Sequence, residues 1–509
     1  MAEMKGFDRR SFLRWSALSL PALAVLPRLS AAAETPKAPA ASAPAPMPGL
    51  APGRPARKVL VAGAGLAGLA AAWELSTAGH DVTVLEAQNR PGGRVHTLRT
   101  PFTDGLYAEA GAVSFTENRI TRRYVDALKL TTEPIRQSNL ANVYHLRGKR
   151  FEGKQGAPPD WPYDLTPDER KLGYRGMLLK YFSPGAKIGD PTAPGFKLDG
   201  RNDLKTIDQM TLADWLKSQG ASDEAVSLLG SASFFGYGWN AGSALHRLIS
   251  DIALFFSSTG VLVLPGGNDQ LPQAFAKVLR DRIHYGAPIV QIAHQADKVR
   301  VTFHQGGADQ TLEADHLICT LPTPALRRVD ITPALPTKKI QIIEQLDYAP
   351  VTRVYLQTRK RLWEDAGTSG GAYTDLPIGL MSEQPFAQSA VQGPRGIVES
   401  HTKGPQARAM ASLDPTARLS FTTAQMEKVH PGISKYVEGG TSVSWADDPW
   451  AGGGYAWWKP GQLTDWQPEL AKAEGRLHFA GEHTSTMGRT IEGALESGAR
   501  AAREVHESA

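Results

Sequence analysis

Cysteine is almost absent from this sequence: Cys319 stands alone among 509 residues. No intrachain disulfide can form, so folding does not depend on an oxidising compartment. No run of twenty apolar residues occurs, which leaves no candidate for a membrane-spanning helix and argues against stable membrane insertion. The histidines are scattered and show no zinc-type spacing, so no metal site is expected. Basic runs with interleaved aromatics are also missing, which gives no support to a nucleic-acid partner. What is present is globular composition, 41% hydrophobic and 21% charged, in a chain long enough for two or three domains.

Residues 1–33 read as an export signal. Asp8-Arg9-Arg10-Ser11-Phe12-Leu13-Arg14 resembles the twin-arginine signal, and Trp15 to Leu26 is an apolar stretch too short to span a bilayer. Ala31-Ala32-Ala33 offers a cleavage site, so Glu34 would open the mature chain in the periplasm or outside the cell. This leader holds five basic and two acidic residues; removing its +3 from the formal +5 leaves +2 for the rest. Residues 34–56 are rich in Ala and Pro and read as a semi-extended linker.

The stretch from Lys58 to Thr97 organises the remainder. Val59-Leu60-Val61 suits a strand buried on both faces. Gly63, Gly65 and Gly68 follow in G-x-G-x-x-G spacing. Leu66 to Ala78 has helical composition, and Gly79 is a natural stop. Val82 to Leu85 reads as a second strand, ending on Glu86. These parts make a βαβ dinucleotide fingerprint: a tight turn at Gly63, backbone approach to a pyrophosphate at Gly65, and close helix–strand packing at Gly68. An acid about twenty residues on accepts from a ribose hydroxyl. Glu86 in that place, rather than Arg, disfavours a 2′-phosphate and hence NADP.

Arg90-Pro91-Gly92-Gly93-Arg94-Val95-His96-Thr97 has the form R-x-G-G-R-x-x-T. Its glycine pair lets backbone pass close to a ligand, and Arg94 can neutralise pyrophosphate charge. With the fingerprint before it, this segment resembles the flavin-containing amine oxidases, the group of monoamine, polyamine and L-amino acid oxidases. The C-terminal segments Arg476-Leu477-His478-Phe479-Ala480-Gly481-Glu482-His483-Thr484 and Glu492-Gly493-Ala494-Leu495-Glu496-Ser497-Gly498 are similar to that family's second flavin signature. They read as strand, glycine turn and helix. The resemblance covers most of residues 57–505.

The fold it implies is α/β: a Rossmann-like, discontinuous FAD-binding domain with a second, mixed α+β substrate-binding domain. The expected segments are 57–130, 251–321 and 431–509 for the FAD domain and 131–250 and 322–430 for the substrate domain. The expected elements include helices at Arg122–Leu130, Leu212–Ser218 and Ser243–Phe256. Strands are expected at Ile289–Ile292, Val299–Phe303, His316–Cys319 and Val351–Leu356. His246 reads as a structural histidine, and the aromatic run Phe234–Trp239 as channel lining or packing.

The resemblance assigns FAD contacts to Gly63, Gly65, Leu66, Ala67, Gly68, Glu86, Ala87, Gly92, Gly93, Arg94, Ala110, Gly111, Ala112, Val290, Trp450, Gly481, Glu482 and Ile491. Val290 would contact adenine through its backbone. It assigns catalytic positions to Arg353, Tyr455 and Thr490. Four departures stand out. Ser114 falls where L-amino acid oxidases carry a carboxylate-clamping Arg. Arg353 replaces a lysine that holds a water against the reactive ring; the alternative for Arg353 is a structural ion pair. Gly454 replaces the cysteine that monoamine oxidases bond to flavin, so FAD is expected to be non-covalent. Thr490 replaces one aromatic wall of the cage whose other wall is Tyr455, and Trp457 or Trp458 is a candidate to compensate. Arg489, beside Thr490, is a candidate clamp for an anionic group.

The implied reaction is oxidation of a primary or secondary amine, with imine hydrolysis and oxygen reduced to hydrogen peroxide. Three alternatives stay open: an L-amino acid oxidase with an atypical carboxylate clamp, a dehydrogenase passing electrons to an acceptor protein, and a flavin-binding protein with little turnover. Substrate identity and oligomeric state, a homodimer included, are left open.

Overall fold

The computed structural model describes residues 46–508 apart from 117–118, 137, 154–158, 190, 192–195, 234–237 and 256–260. The export signal, most of the linker, Phe234–Tyr237 and Phe256 therefore lie outside the described residues.

Strand β1 (Lys58–Ala62), helix α1 (Leu66–Ala78) and strand β2 (Asp81–Leu85) form the expected βαβ unit. Gly79 ends α1 in the left-handed conformation at φ 103°, which glycine adopts without a Cβ penalty. The two strands lie in a five-stranded parallel sheet with Ile283–His284, His316–Cys319 and Leu477–Phe479. Five strands from four distant parts of the chain thus build one Rossmann-like sheet. Side chains alternate between its faces. Val59, Val61, Val82 and Val84 pack with α1, with Phe275 and with the C-terminal helix Ile491–Glu507. Leu60, Leu85, Leu317 and Cys319 pack on the opposite side.

The second layer is a mixed seven-stranded sheet. Its order is Val437–Ser444, Val351–Thr358, Gly396–Lys403, Leu380–Gln384, Thr368–Thr374, Ala141–Leu146, Lys149–Gly153. Leu356, Val398 and Met381 face the helix Pro415–Val429 through Met426 and Val429. Residues on the alternate face, Tyr355 and Ile397, meet Leu106 and Ala108 of the nucleotide side. That alternation turns Arg353 toward the nucleotide domain.

Some boundaries differ from expectation, and one strand is additional. Val437–Ser444 pairs antiparallel with Val351–Thr358, so the substrate sheet runs past residue 430 and the third nucleotide segment starts later. The helix expected at Arg122–Leu130 spans Arg119–Ala127. It starts early because Glu492, far along the chain, accepts the N–H groups of Ile120 and Thr121, and it stops as Lys129 turns to φ 56°. Ala308–Ala314 is an additional strand, at the edge of a four-stranded sheet. Its mostly exposed side chains carry no alternating apolar signal.

Candidate active site

A cavity of about 320 Å³ opens where the strands of the parallel sheet end. The residues just past four of those strands line it: Gly63, Glu86, Thr320 and Gly481. Ligands of open α/β sheets bind at this edge.

The turn from β1 to α1 is held at Gly63, whose φ is 99°. Gly65 caps α1 at φ −68°, ψ 172°, with open space where a Cβ would sit. Gly92 donates to the Ala64 carbonyl at 2.8 Å, which brings the glycine pair against the helix start. The Glu86 carboxylate accepts Ala64 N–H at 2.6 Å and Gln88 N–H at 2.8 Å. Burial pushes its pKa up despite these bonds.

Leu66, Ala67, Ala87, Gly93, Arg94, Ala110, Gly111, Ala112, Trp450, Glu482 and Ile491 also line the cavity, as do Arg353, Tyr455 and Thr490. Two expected contact residues do not. Gly68 sits behind the turn, where a Cβ would lie 1.9 Å from the Gly63 carbonyl oxygen, so its part is packing. Val290, expected to make its contact through the backbone, lies at a register shift of the strand Ile289–His294, is 39% exposed and is not part of the cavity lining.

Arg94 pairs with Glu482 at 2.9 Å and donates to the Gly454 carbonyl at 3.2 Å, so a protein carboxylate already balances its charge. Glu482 also accepts Ala456 N–H at 3.0 Å and Arg489 N–H at 2.9 Å. Burial works against this carboxylate, yet the Arg94 charge beside it brings its pKa below the usual value.

Arg353 forms the structural ion pair considered for it. Its Nε donates to Glu399 Oε1 at 2.5 Å, and Nη1 donates to the carbonyls of Glu109 and Gly111 at 2.6 and 2.8 Å. Its buried Nη2 has no hydrogen-bond partner, in a residue that lines the cavity.

The aromatic cage is built differently from the expected one. Thr490 caps the C-terminal helix, accepting Gly493 N–H at 2.9 Å and donating to the Met487 carbonyl at 2.6 Å. The group stacked on Tyr455 is Arg489, its guanidinium carbon 4.6 Å from the ring centroid. Trp457 and Trp458 are buried packing residues outside the cavity lining, so neither compensates.

His401, Lys403 and Trp445 belong to the lining and were not singled out from sequence. His401 and Lys403 alternate along Gly396–Lys403, whose neighbour carries Arg353 in register with His401. A period of two on that pair of strands is the signal that points to them.

A family model described as flavin containing amine oxidoreductase matches residues 66–506. This chain belongs to that family. It is 32% identical over 469 residues to YobN of Bacillus subtilis (strain 168), covering 90% of this chain and 96% of that protein. It is 31% identical over 478 residues to the flavin-dependent L-tryptophan oxidase RebO of Lentzea aerocolonigenes, covering 88% and 98%. Among solved structures, a putrescine oxidase bound to putrescine is 21% identical with a TM-score of 0.74, covering 89% of this chain and 99% of that one. This likeness shows the shared fold.

As a flavin-containing amine oxidoreductase, the chain is a FAD-dependent enzyme acting on carbon–nitrogen bonds. The residues present fit that cofactor. The space at Gly65, the start of α1, the remaining lone pairs of Glu86 and the orphaned Arg353 Nη2 lie along one cavity. Among the described residues no group of His, Cys, Asp and Glu could hold a metal ion, and no helix is long and apolar enough to cross a membrane.

Proposed function

We propose that this enzyme is an amino acid oxidase, with Arg489 holding the substrate carboxylate. The observation that carries this reading is the Arg489 guanidinium stacked on Tyr455 in the cavity wall. A cation in that place repels an ammonium-ended substrate and attracts a carboxylate. It offers a clamp where Ser114, also in the lining, offers none. Identity of 31% to an L-tryptophan oxidase across almost its full length supports the same class.

The overall reaction is amino acid plus oxygen plus water giving a 2-oxo acid, ammonia and hydrogen peroxide. When bound, the flavin supplies the hydride acceptor. The chain's own residues orient the substrate and exclude water. Tyr455 and Arg489 set the position of the amino acid, and Arg353, pinned by Glu399, presents Nη2 to the cavity.

FAD is held without a covalent bond in this proposal. Cys319 is the sole thiol, is buried in the parallel sheet and lies outside the cavity lining. At Gly454 even a Cβ would come 2.7 Å from Val351 Cγ2. Denaturation should release all the yellow colour from the polypeptide; colour that stays with it overturns this point.

The deciding experiment is anaerobic bleaching of the flavin by a panel of amino acids and plain amines, then air with peroxide detection. Bleaching by amino acids with rapid recovery and peroxide is expected. Bleaching by amines alone favours amine oxidation, for which Tyr455 remains a guide. Slow recovery in air favours an electron-acceptor protein, and no bleaching at all favours flavin binding with little turnover.

Export by the twin-arginine route is part of the same proposal and rests on Arg9-Arg10 with the apolar stretch and Ala31-Ala32-Ala33. That route carries folded proteins, which suits an enzyme loaded with FAD first. Amino-terminal sequencing of the exported protein should start at Glu34; recovery of uncleaved protein in the cytoplasm alone overturns it.

A further inference from the structure

One carboxylate holds the backbone of both members of the facing pair Tyr455 and Arg489. Glu482 lies just past the strand Leu477–Phe479 and is buried. Its Oε1 accepts Arg94 Nη1 at 2.9 Å and Ala456 N–H at 3.0 Å, and its Oε2 accepts Arg489 N–H at 2.9 Å. Burial works against its charge, but the Arg94 guanidinium outweighs burial, so it stays ionised and accepts at both oxygens. The resemblance assigns Glu482 to the flavin, yet these bonds lead to the wall that carries Tyr455 and Arg489.

Arg94 donates to the Gly454 carbonyl at 3.2 Å, and Glu482 accepts the Ala456 N–H. A single ion pair therefore grips the peptide unit on either side of Tyr455. Ala349 N–H adds a hold on the Tyr455 carbonyl at 2.9 Å. Arg489 is the more demanding member. Its φ is 70°, in the left-handed region, which a residue with a Cβ occupies at a cost. The turn leading into it is closed by the Thr490 hydroxyl on the Met487 carbonyl and by Met487 N–H on Ser485 Oγ at 3.1 Å. Glu482 takes the N–H of the strained residue itself. That bond fixes the direction in which the Arg489 side chain leaves the backbone, toward the ring of Tyr455.

We infer that Glu482 is a positioning residue for substrate recognition: it holds the backbone of Arg489 and of Tyr455 so that guanidinium and ring meet at one carboxylate-binding place. The inference rests on the amino acid oxidase reading, in which Arg489 takes the α-carboxylate. A Gln at this position keeps one accepting oxygen and turns the other atom into a donor. That donor faces either Arg94 and Ala456 N–H or Arg489 N–H, so one side of the arrangement is lost whichever way the amide turns.

The test uses the flavin-loaded enzyme, Glu482→Gln, Arg489→Ala and the double variant. Glu482→Gln should raise KM for amino acids about tenfold or more, with kcat changed less than about threefold. In the Arg489→Ala background the same change should add less than about threefold, because Glu482 acts through Arg489. Pentanoate, a carboxylate with no amine to oxidise, should perturb the flavin spectrum of Glu482→Gln only at a concentration about tenfold above that for wild type. A further measurement needs no variant. In wild type the amides of Arg489 and Ala456 should exchange hydrogen about a hundredfold more slowly than in an unstructured chain. Should Glu482→Gln lose its flavin, these exchange rates decide. Unslowed exchange at Arg489, unchanged KM and pentanoate affinity in Glu482→Gln, or a fully additive effect in the double variant overturns the inference. The amino acid reading then stands as long as Arg489→Ala raises KM. If Arg489→Ala leaves KM for amino acids unchanged, both fall.

Discussion

Arg353 and Glu399 form an ion pair at 2.5 Å in which the two side chains are 2% and 0% exposed. The pair sits diagonally across neighbouring strands of the substrate sheet. Ser382 and Gln384 donate to the second Glu399 oxygen at 2.8 and 2.7 Å. The guanidinium reaches across the domain boundary to the carbonyls of Glu109 and Gly111, and the Tyr355 hydroxyl donates to the same Glu109 carbonyl at 2.8 Å. One cation therefore fixes the cavity's sheet wall against the segment Glu109–Gly111.

Removing one member of such a pair leaves a buried charge uncompensated. Glu399→Gln should destabilise the holoenzyme by about 3–5 kcal/mol. Denaturant unfolding followed by flavin fluorescence measures it. An unfolding midpoint equal to wild type would mean that the pair does not anchor the two domains.

Two glycines of one motif should fail in different ways. Gly68→Ala places a methyl 1.9 Å from a backbone oxygen, so the βαβ unit must shift and the protein should lose stability. Gly65→Ala meets no protein atom and needs no unusual backbone angle, with φ at −68°. It should fold normally and bind FAD at least tenfold more weakly. Circular dichroism separates folding from flavin content, and normal FAD affinity in Gly65→Ala would show that the cofactor does not pass there.

Glu109 is a buried carboxyl whose pKa is pushed up to about 8, chiefly by burial, against the bonds from Asn268 N–H and the Thr97 hydroxyl. Asp269 adds to the rise and Arg353 opposes it. Its folded pKa lies above the unfolded value, so the folded state holds the proton more tightly. Stability is then fully present below about pH 4.5, and it falls as pH rises toward 8, by a total on the order of a few kcal/mol. Melting temperatures from pH 6 to pH 9 should decline in wild type and decline less in Glu109→Gln. Parallel curves for the two proteins would refute this.

Arg489→Ala should raise KM for amino acids about ten- to hundredfold, the scale of a lost hydrogen bond to a charged group, and leave plain amines little affected. The rate of flavin bleaching at saturating substrate should change less. Equal effects on amines and amino acids would remove Arg489 as the carboxylate holder.

Local chemistry made much of this legible. β1, α1 and β2 follow from apolar runs, a cap glycine and motif spacing, and α1 falls on the expected residues, Leu66–Ala78. His316–Cys319 and Leu212–Ser218 also match expectation, because burial or capping acts within a few residues. The helix at Arg119–Ala127 did not, since its start is capped by Glu492 from a distant segment. The facing pair at Tyr455 was half legible: Arg489 was a candidate clamp, but Thr490 was assigned the wall that Arg489 occupies.

The sequence alone determined the nucleotide-binding unit, because it rests on short-range spacing that only a few backbone geometries can satisfy; the two-domain plan and the flavin came with the resemblance to the flavin-containing amine oxidases. Tertiary structure decided which charges meet which. It paired Arg94 with Glu482 and Arg353 with Glu399, set Arg489 on Tyr455, and turned His401 and Lys403 into the cavity. Those partners lie tens to hundreds of residues apart, or depend on which face of a strand is turned inward, and only packing of the two sheets brings them within reach.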